Sequence, residues 1–315
     1  MPPSTLRHPL LATAWRWLLV AALLLLFEAA SWGTQQASRL LAAVPMWDLA
    51  RELLGAVVPF AIFTLPLVLA ERFWPGSDNP RRYLAGSKYW LLALIAAYAS
   101  ARLAAALSGY WHLQPLYAWK VGSDAPVWVI AAATLLSVFL FDALYYWFHR
   151  AQHRFAVLWR FHEVHHSIVH LNCINSYHHV LEEFLRLPVI TLPLALLLQI
   201  DTPQLFLVSA FVAAWGQYIH SDTAVHLGRL HHLFGDNAYH RIHHSNTDRH
   251  FHKNFAAFFP VWDRLFGTYH APVPAPLPAV GLSDVAPPAS IVAYLWMPFA
   301  KHRNVAATSD SPASD

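Results

Sequence analysis

Charged side chains are scarce in this chain of 315 residues, in which they make up only 12% of the total. A soluble domain carries about a quarter, so the shortage argues against an ordinary water-soluble fold. Apolar side chains take their place, and the segments Leu53–Ala70 and Val127–Phe141 contain no charged residue. A helix that crosses a bilayer needs about 20 mostly apolar residues. The composition therefore predicts an integral membrane protein.

Cysteine is almost absent as well, since Cys173 is the only one in the sequence. A single cysteine excludes an internal disulfide and an iron–sulfur cluster held by several thiolates of this chain. The sequence also has no haem-attachment motif and no G-x-G-x-x-G nucleotide-binding loop. The net charge is only +3, and the arginines lie beside apolar segments, so no nucleic-acid partner is predicted.

Hydropathy predicts four full transmembrane spans, near residues 14–32, 51–71, 89–108 and 127–148. Two shorter apolar segments, Leu187–Ile200 and Leu205–Ile219, flank a polar break at Asp201–Pro203. They predict a helical hairpin that returns to the membrane face from which it entered. Arginine and lysine collect in the 71–88 link, which the positive-inside rule places in the cytoplasm together with the N-terminus.

The predicted fold class is therefore all-α. It is a multi-span transmembrane helical bundle, with about four full spans and a short hairpin, capped by a cytosolic histidine-rich metal-binding region. Three segments follow along the chain: membrane spans in residues 1–126, a catalytic domain in residues 127–270, and a C-terminal linker and tail in residues 271–315.

Histidine is distributed unevenly, because 18 of the 21 histidines lie between His149 and His270. Eight of these form three clusters: His149 with His153; His162 with His165 and His166; and His240 with His243 and His244. Residues three or four positions apart share one face of a helix, and neutral imidazole is a common ligand of iron, zinc and copper. Three such clusters predict a site for more than one transition-metal ion.

Asp142 lies seven residues before His149 on the same face of the fourth span. A carboxylate within an apolar span is costly and usually functional, and metal-bound imidazoles commonly donate their other N–H to a carboxylate. Asp142 is therefore a candidate to orient a ligand imidazole. A polar contact between two helices is the alternative interpretation.

Two other functions compete with a multi-metal enzyme. The segment His162-Glu163-x-x-His166 satisfies H-E-x-x-H, the signature of zinc metalloproteases in which the glutamate is the base. That hypothesis uses two histidines and leaves the other clusters unexplained. A non-catalytic metal binder or transporter is the second alternative, although a transporter would need ligands deep within its spans, whereas these clusters follow the ends of spans.

Longer motifs around these histidines resemble the fatty acid hydroxylase/sterol desaturase superfamily of integral membrane di-iron oxygenases. The resemblance covers about residues 140–270. It is found in Asp142-x-x-Tyr145-Tyr146-Trp147-Phe148-His149-Arg150-x-x-His153, Trp159-Arg160-Phe161-His162-x-x-His165-His166-Ser167, Gln217-Tyr218-Ile219-His220-Ser221, His240-Arg241-x-His243-His244, Lys253-Asn254-Phe255 and Trp262-Asp263-Arg264-Leu265-Phe266-Gly267-Thr268.

Matched residue by residue, the resemblance implies nine metal ligands: His149, His153, His162, His165, His166, His220, His240, His243 and His244. It adds His179, because the family's Arg/Tyr-x-His-Pro-x-Glu motif corresponds to residues 177–182, although Val180 stands in place of the proline. His231 and His232 have no counterpart in the pattern. It leaves open the roles of His226, His250 and His252.

The resemblance also implies the chemistry. Two iron ions would use O₂ to remove hydrogen from an unactivated C–H bond of a lipid or sterol-like substrate taken from the bilayer, with hydroxylation or desaturation as the result. Because the sequence has no electron-carrying motif, a separate ferredoxin, cytochrome or reductase is implied. The expected protein is a membrane oxidoreductase, of the inner or cell membrane if its source is bacterial, with its histidine clusters on the cytoplasmic side.

Overall fold

The computed structural model of the protein describes residues 62–78, 83–119, 125–200, 202–272 and 276–300. Its helices are, in chain order, α1 (62–73), α2 (Tyr83–Tyr110), α3 (Val127–Arg154), α4 (Ala156–His166), α5 (Glu182–Arg186), α6 (Leu192–Leu197), α7 (Thr202–His220), α8 (Asn237–His243), α9 (Val261–Leu265) and α10 (Ile291–Trp296). Single turns of 3₁₀ helix cover Gly228–His232, Asp248–His250 and Met297–Phe299. The described part of the chain is thus mostly helical, as the sequence predicts.

Helices α2 and α3 contain two of the four predicted spans. Each has 28 residues, and their most apolar windows have mean hydropathies of 1.7 and 2.2. Only 17% and 22% of those windows are buried within the protein, so most of their apolar side chains face outward, which suits a lipid environment. The predicted span 14–32 and the first part of the span 51–71 lie outside the described residues.

The predicted hairpin is less regular than two helices joined by a turn. A π-helical turn over Leu187–Thr191 leads into α6, and a short strand β2 (Leu198–Ile200) follows. This strand pairs in parallel with β1 (Tyr117–Trp119) over three residues, and the described part of the chain remains mostly helical. Pro203 gives a reason for the interruption: proline is tolerated in the first turn of α7 but would break a helix continuing from α6.

A buried polar contact gathers the helix ends beneath the histidine-rich region. The fully buried carboxylate of Glu71, at the end of α1, accepts hydrogen bonds from the backbone N–H groups of Cys173 (2.8 Å) and Asp222 (2.7 Å). The carboxylate of Asp222 lies 3.6 Å from the guanidinium of Arg241 in α8. One acid therefore connects α1 with the loops after α4 and α7, and through Asp222 with α8.

Stacked tyrosines hold the segment that precedes α5. The rings of Tyr89 in α2 and Tyr294 in α10 stack at 4.6 Å, and the ring of Tyr177 lies 4.6 Å from Tyr89. The Tyr294 hydroxyl donates to the carbonyl of His178 (2.7 Å). Residues 177 and 178 are consequently fixed between α2 and α10, facing α4.

Candidate metal centre

The turn between α3 and α4 brings the first two histidine clusters together. Helix α3 ends at Arg154, and Phe155, with extended backbone, separates it from α4. The two helices therefore pack against each other directly after a single linking residue. As a result, His149 and His153 at the end of α3 face His162 and His166 of α4. The ring centroids of His149 and His162 are 4.7 Å apart, and those of His153 and His166 are 4.8 Å apart.

Five histidines form one group, called here the five-histidine group. It consists of His149, His153, His162, His166 and His243, with ligand nitrogens that all lie within 4.8 Å of one another. Nε2 of His162 is 2.9 Å from Nε2 of His149 and 3.2 Å from Nε2 of His166, which in turn is 3.0 Å from Nε2 of His243. Helices α3, α4 and α8 all contribute.

Four histidines form a second group, called here the four-histidine group. It consists of His165, His220, His240 and His244, all of them buried. Nε2 of His220, at the end of α7, is 3.1 Å from Nε2 of His165 and 3.0 Å from Nε2 of His240. The two groups adjoin each other, because the rings of His166 and His244 stack at 4.5 Å.

The two His-x-x-His-His triplets divide between the groups in opposite ways. In α4, His162 and His166 belong to the five-histidine group, and His165 to the other. In α8 and at its C-terminal cap, His240 and His244 belong to the four-histidine group, and His243 belongs to the five-histidine group. All nine histidines matched by the family motifs are thus brought together, in two adjacent positions.

The hydrogen bonds of these imidazoles fit metal ligation. Nδ1 of His165 lies 3.1 Å from the carbonyl of Tyr177, and Nδ1 of His220 lies 2.6 Å from the carbonyl of Gly216. A carbonyl can only accept, so both Nδ1 atoms carry the proton, and both Nε2 atoms present lone pairs to each other at 3.1 Å. A cation between them turns this repulsion into attraction, and imidazoles bound to one metal at about 2.1 Å stand roughly 3 Å apart.

The five-histidine group shows the same arrangement. Nδ1 of His149 donates to the carbonyl of Phe255 (2.7 Å), and Nδ1 of His243 donates to the carbonyl of Lys253 (2.9 Å). Outer hydrogen bonds of this kind fix the tautomer and ring direction of metal-bound histidines. The donor set is entirely nitrogen, which suits iron, copper or zinc better than magnesium or calcium.

Burial keeps the helix-borne imidazoles in the neutral form that binds metals. Burial, reinforced for most of them by neighbouring imidazoles, lowers the pKa well below 6.5 for His162, His165, His166, His240 and His244. For His243 burial lowers the pKa to about 3, although the bond to the Lys253 carbonyl acts in the opposite direction. At neutral pH these nitrogens therefore present lone pairs rather than protons.

His178 is a residue that the motif comparison missed. Its ring stacks on His165 at 3.7 Å, and its ligand atom lies within 4.8 Å of those of His162 and Glu182. His179, the sequence-based candidate, lies outside the three groups: its Nδ1 accepts from the N–H of Leu181, and its ring packs on Tyr294 at 5.1 Å. Two adjacent histidines point in different directions here, and the Tyr-His-His sequence alone gives no signal for which one faces the metals.

Asp142 has a different partner from the one expected. Its carboxylate accepts three backbone N–H groups, from Ala257 (2.9 Å), Phe258 (3.1 Å) and Phe259 (2.8 Å). The imidazole that it was expected to orient, His149, is bonded instead to the carbonyl of Phe255. Asp142 therefore holds the segment that orients His149. This role differs from both interpretations offered by the sequence, which were a direct bond to a ligand imidazole and a contact between two membrane helices.

Asp263 completes the support of that segment. Its carboxylate, also fully buried, accepts the N–H groups of Phe255 and Ala256 at 2.8 Å each. The five consecutive backbone N–H groups of residues 255–259 are thus all bonded to two buried aspartates. This segment, called here the closing segment, begins two residues after Lys253 and supplies the Phe255 carbonyl to His149.

The remaining histidines lie around the centre. His250 bonds to Ser245 Oγ (2.9 Å), His226 bonds to Asn237 Oδ1 (2.9 Å), and the exposed ring of His252 lies 5.9 Å from His153. His232 bonds to Arg264 at the surface, and His231 packs against it at 4.1 Å. None of these five belongs to the three groups found among the described residues.

Comparison with known proteins gives one family. Residues 134–268 match the family described as Fatty acid hydroxylase. An alkylglycerol monooxygenase of Danio rerio is 33% identical over 41% of this chain and 28% of its own length, and an ornithine lipid hydroxylase of Rhizobium tropici is 30% identical over 46% of this chain and 44% of its own length. A cholesterol 25-hydroxylase-like protein of Danio rerio is 28% identical over 69% of this chain and 89% of its own.

The chain thus spans less than half the length of the first two of these relatives. No solved structure gives a significant match.

Proposed function

Because the chain belongs to the fatty acid hydroxylase/sterol desaturase superfamily, we propose that it is a membrane-bound di-iron oxygenase that hydroxylates a lipid. Three of its relatives are named as a lipid hydroxylase, a monooxygenase and a hydroxylase-like protein, which favours hydroxylation over desaturation. In the balanced reaction, one C–H bond, one O₂, two electrons and two protons are consumed, and one C–OH group and one water are formed. Alkylglycerols, ornithine lipids and sterols define the substrate class by analogy alone.

The observation that carries this proposal is the pair of adjacent histidine groups with facing lone pairs. The five-histidine and four-histidine groups would each hold one iron, and together they use the nine histidines. Bound iron supplies the redox chemistry that activates O₂. The chain's own residues hold the ions, fix the imidazole tautomers through carbonyls such as those of Phe255 and Tyr177, and surround the centre with buried side chains that exclude water.

The zinc protease is less consistent with this geometry. A catalytic zinc has three protein ligands and keeps a position open for water, whereas His162 and His166 share their site with three more imidazoles. Glu163, the base in that hypothesis, belongs to none of the three groups among the described residues. A transporter is disfavoured because the groups collect at the ends of α3 and α7 rather than in the middle of apolar helices.

The membrane arrangement completes the proposal. Four spans and a hairpin would place the ends of α3 and α7 at the cytoplasmic surface, where a lipid carbon can reach the metals from the bilayer. Two electrons per turnover must come from a separate donor, because the sequence contains no flavin, haem or iron–sulfur motif. A soluble ferredoxin, a cytochrome or a reductase on the cytoplasmic side would meet this need.

Metal analysis tests the proposal first. Protein expressed with iron and purified in detergent is expected to carry about two irons and little zinc per chain, and lipid extracts of expressing cells are expected to contain an O₂-dependent hydroxylated lipid. One zinc per chain, unaffected by the iron supply, would contradict the di-iron assignment and revive the protease. Two irons per chain without any oxidised lipid would support the alternative of a non-catalytic metal-binding protein.

A further inference from the structure

A third cluster adjoins the five-histidine group, and it contains the carboxylate that the metal groups lack. Its members are His162, His178 and Glu182, whose ligand atoms lie within 4.8 Å of one another. Glu182 opens α5 and is fully buried. Its Oε2 lies 3.4 Å from Nδ1 of His162, whereas Nε2 of that ring is the nitrogen that meets His149 and His166.

Three neighbours hold this carboxylate in place. Gln152, which lies between the two histidines of the first cluster and is itself fully buried, donates its amide N–H to Glu182 Oε2 at 2.6 Å. The guanidinium of Arg186 lies 3.8 Å from the same oxygen. A buried carboxylate is stable only when it is hydrogen-bonded and its charge is compensated. The amide, the guanidinium and the imidazole N–H do this at Oε2, whereas Oε1 is buried without a hydrogen-bond partner among the described residues.

A third metal ion is the competing interpretation of the cluster, and the charges oppose it. Arg186 already places a positive charge beside the carboxylate, and the oxygen that faces His162 is already bonded to Gln152. A further divalent cation would also adjoin the metal of the five-histidine group, since His162 belongs to both. Hydrogen bonding from His162 to Glu182 needs no additional charge.

We propose that Glu182 is a positioning residue for His162, and through it for the metal of the five-histidine group alone. By accepting a hydrogen bond from Nδ1–H, the carboxylate directs the Nε2 lone pair of His162 at that metal and makes the imidazole a stronger metal ligand. The other four anchors found for these groups are the backbone carbonyls of Phe255, Lys253, Tyr177 and Gly216, which carry no charge.

The two metals are therefore inequivalent. Two divalent ions with nine neutral imidazoles carry a charge of about +4 in a buried site, and Glu182 offsets part of it beside only one of them. A negative charge next to a metal favours the oxidised form, so the metal of the five-histidine group has the lower reduction potential. This inference depends on the proposed function only in that the groups bind metal.

Glu182→Gln tests the proposal because it keeps the shape and removes the charge and the strong acceptor. Metal-free protein in detergent is titrated anaerobically with ferrous iron against a chelator, which gives two dissociation constants. One of them is expected to rise about 10- to 100-fold, with the other near its wild-type value, and the reduction potential of the weakened site is expected to become more positive. Glu183→Gln is the matched control, because Glu183 bonds to the same Arg186 (2.9 Å) but is not part of the cluster.

The outcomes separate this inference from the proposed function. Wild-type protein that binds no iron would overturn the proposed function. Wild-type protein with two irons and a Glu182→Gln variant with unchanged constants and potentials would overturn the inference alone. Three metals in the wild type and two in the variant would assign Glu182 to a third metal ion instead. If Glu182→Gln fails to insert, Glu182→Asp keeps the charge, and equal weakening of both metals in that variant would contradict a role confined to one site.

Discussion

The two histidine groups lie side by side, yet they are held in different ways. In the five-histidine group, three second nitrogens are anchored by the Phe255 carbonyl, the Lys253 carbonyl and the Glu182 carboxylate. In the four-histidine group two are anchored, by the Tyr177 and Gly216 carbonyls, and the Nδ1 atoms of His240 and His244 are buried without a hydrogen-bond partner among the described residues. The difference between the groups is therefore the fifth imidazole and the one anchor that is a carboxylate.

This difference indicates a division of labour. A site with five imidazoles has less room for another ligand than a site with four, and catalytic metal sites keep a coordination position open. The imidazoles without anchors can also rotate more freely when a ligand binds. We therefore expect the two proposed metal ions to differ in affinity and in access to O₂, and the changes below test that difference from the largest effect to the smallest.

Removing one ligand from each group is expected to have the largest effect. His165→Ala takes a nitrogen from the four-histidine group and His243→Ala takes one from the five-histidine group. Each variant is expected to insert into the membrane and to lose O₂-dependent product formation, because spans form their own backbone hydrogen bonds without the metals. Each is expected to retain about one iron per chain, measured by elemental analysis.

His231→Ala is the control for these variants, since His231 is half-buried against the exposed His232 and belongs to none of the three groups found among the described residues. It is expected to keep wild-type iron content and activity. Full activity in His165→Ala or in His243→Ala would remove the corresponding group from the catalytic site.

A decrease in pH is expected to destabilise the metal-free protein through the histidines of both groups. The folded-state pKa values of His162, His165, His166, His240, His243 and His244 are lowered from 6.5. Below pH 6.5 the unfolded chain takes up protons that the folded chain does not. As the pH decreases further, the free energy of unfolding of the metal-free protein therefore decreases by about 1.4 kcal/mol per pH unit for each such histidine.

Thermal unfolding of metal-free protein between pH 8 and pH 5 measures this effect. The melting temperature is expected to be level above pH 7 and to fall steeply below pH 6.5. A level profile across the whole range would mean that the imidazoles accept protons without unfolding, which contradicts their lowered pKa values.

Asp142→Asn is expected to weaken one group more than the other. The amide is a poorer acceptor for the N–H groups of residues 257–259, so the closing segment and its Phe255 carbonyl become less well fixed. Since that carbonyl orients His149, iron affinity of the five-histidine group or turnover is expected to drop about 10- to 100-fold. Wild-type iron content together with wild-type turnover would show that the segment stays in place without this carboxylate.

The smallest effect is expected from the adjacent histidines before α5. His178→Ala removes a ring that stacks on His165 and is expected to weaken iron binding by less than about tenfold, whereas His179→Ala is expected to leave iron binding unchanged. Chelator competition on both variants measures this. A greater loss in His179→Ala than in His178→Ala would reverse the assignment made from the structure.

Spacing along the sequence predicts which residues gather, because residues three or four apart share a helix face. It places His162, His165 and His166 near one another, and motif matching adds His220 from a distant helix. It does not predict that His165 separates from its two neighbours, since a helix face is broad and the neighbouring helices decide which side of it each ring meets. Helices α2 and α3 are likewise predictable from their apolar length, whereas the β1–β2 pair depends on a contact between distant segments.

The hydrogen-bond partners of buried side chains were the feature least predictable from the sequence, as Asp142 and Glu182 illustrate. The sequence indicates that Asp142 is buried in an apolar helix and suggests a histidine partner. The partner of a carboxylate is chosen by whatever donors fold against it, and here the closing segment lies opposite Asp142 while Glu182 lies opposite His162. Both acids support the five-histidine group, but only the fold shows which one contacts an imidazole.

The closing segment also imposes an order in time on the assembly of the centre. Phe255 follows His149 by 106 residues, and at usual rates of synthesis the ribosome needs about 5 to 20 seconds to add them. During that interval His149 and the α4 histidines have left the ribosome, but the carbonyl that fixes the His149 tautomer does not yet exist. The proposed metal centre can therefore reach its final geometry only after residue 255 has been made, well after α3.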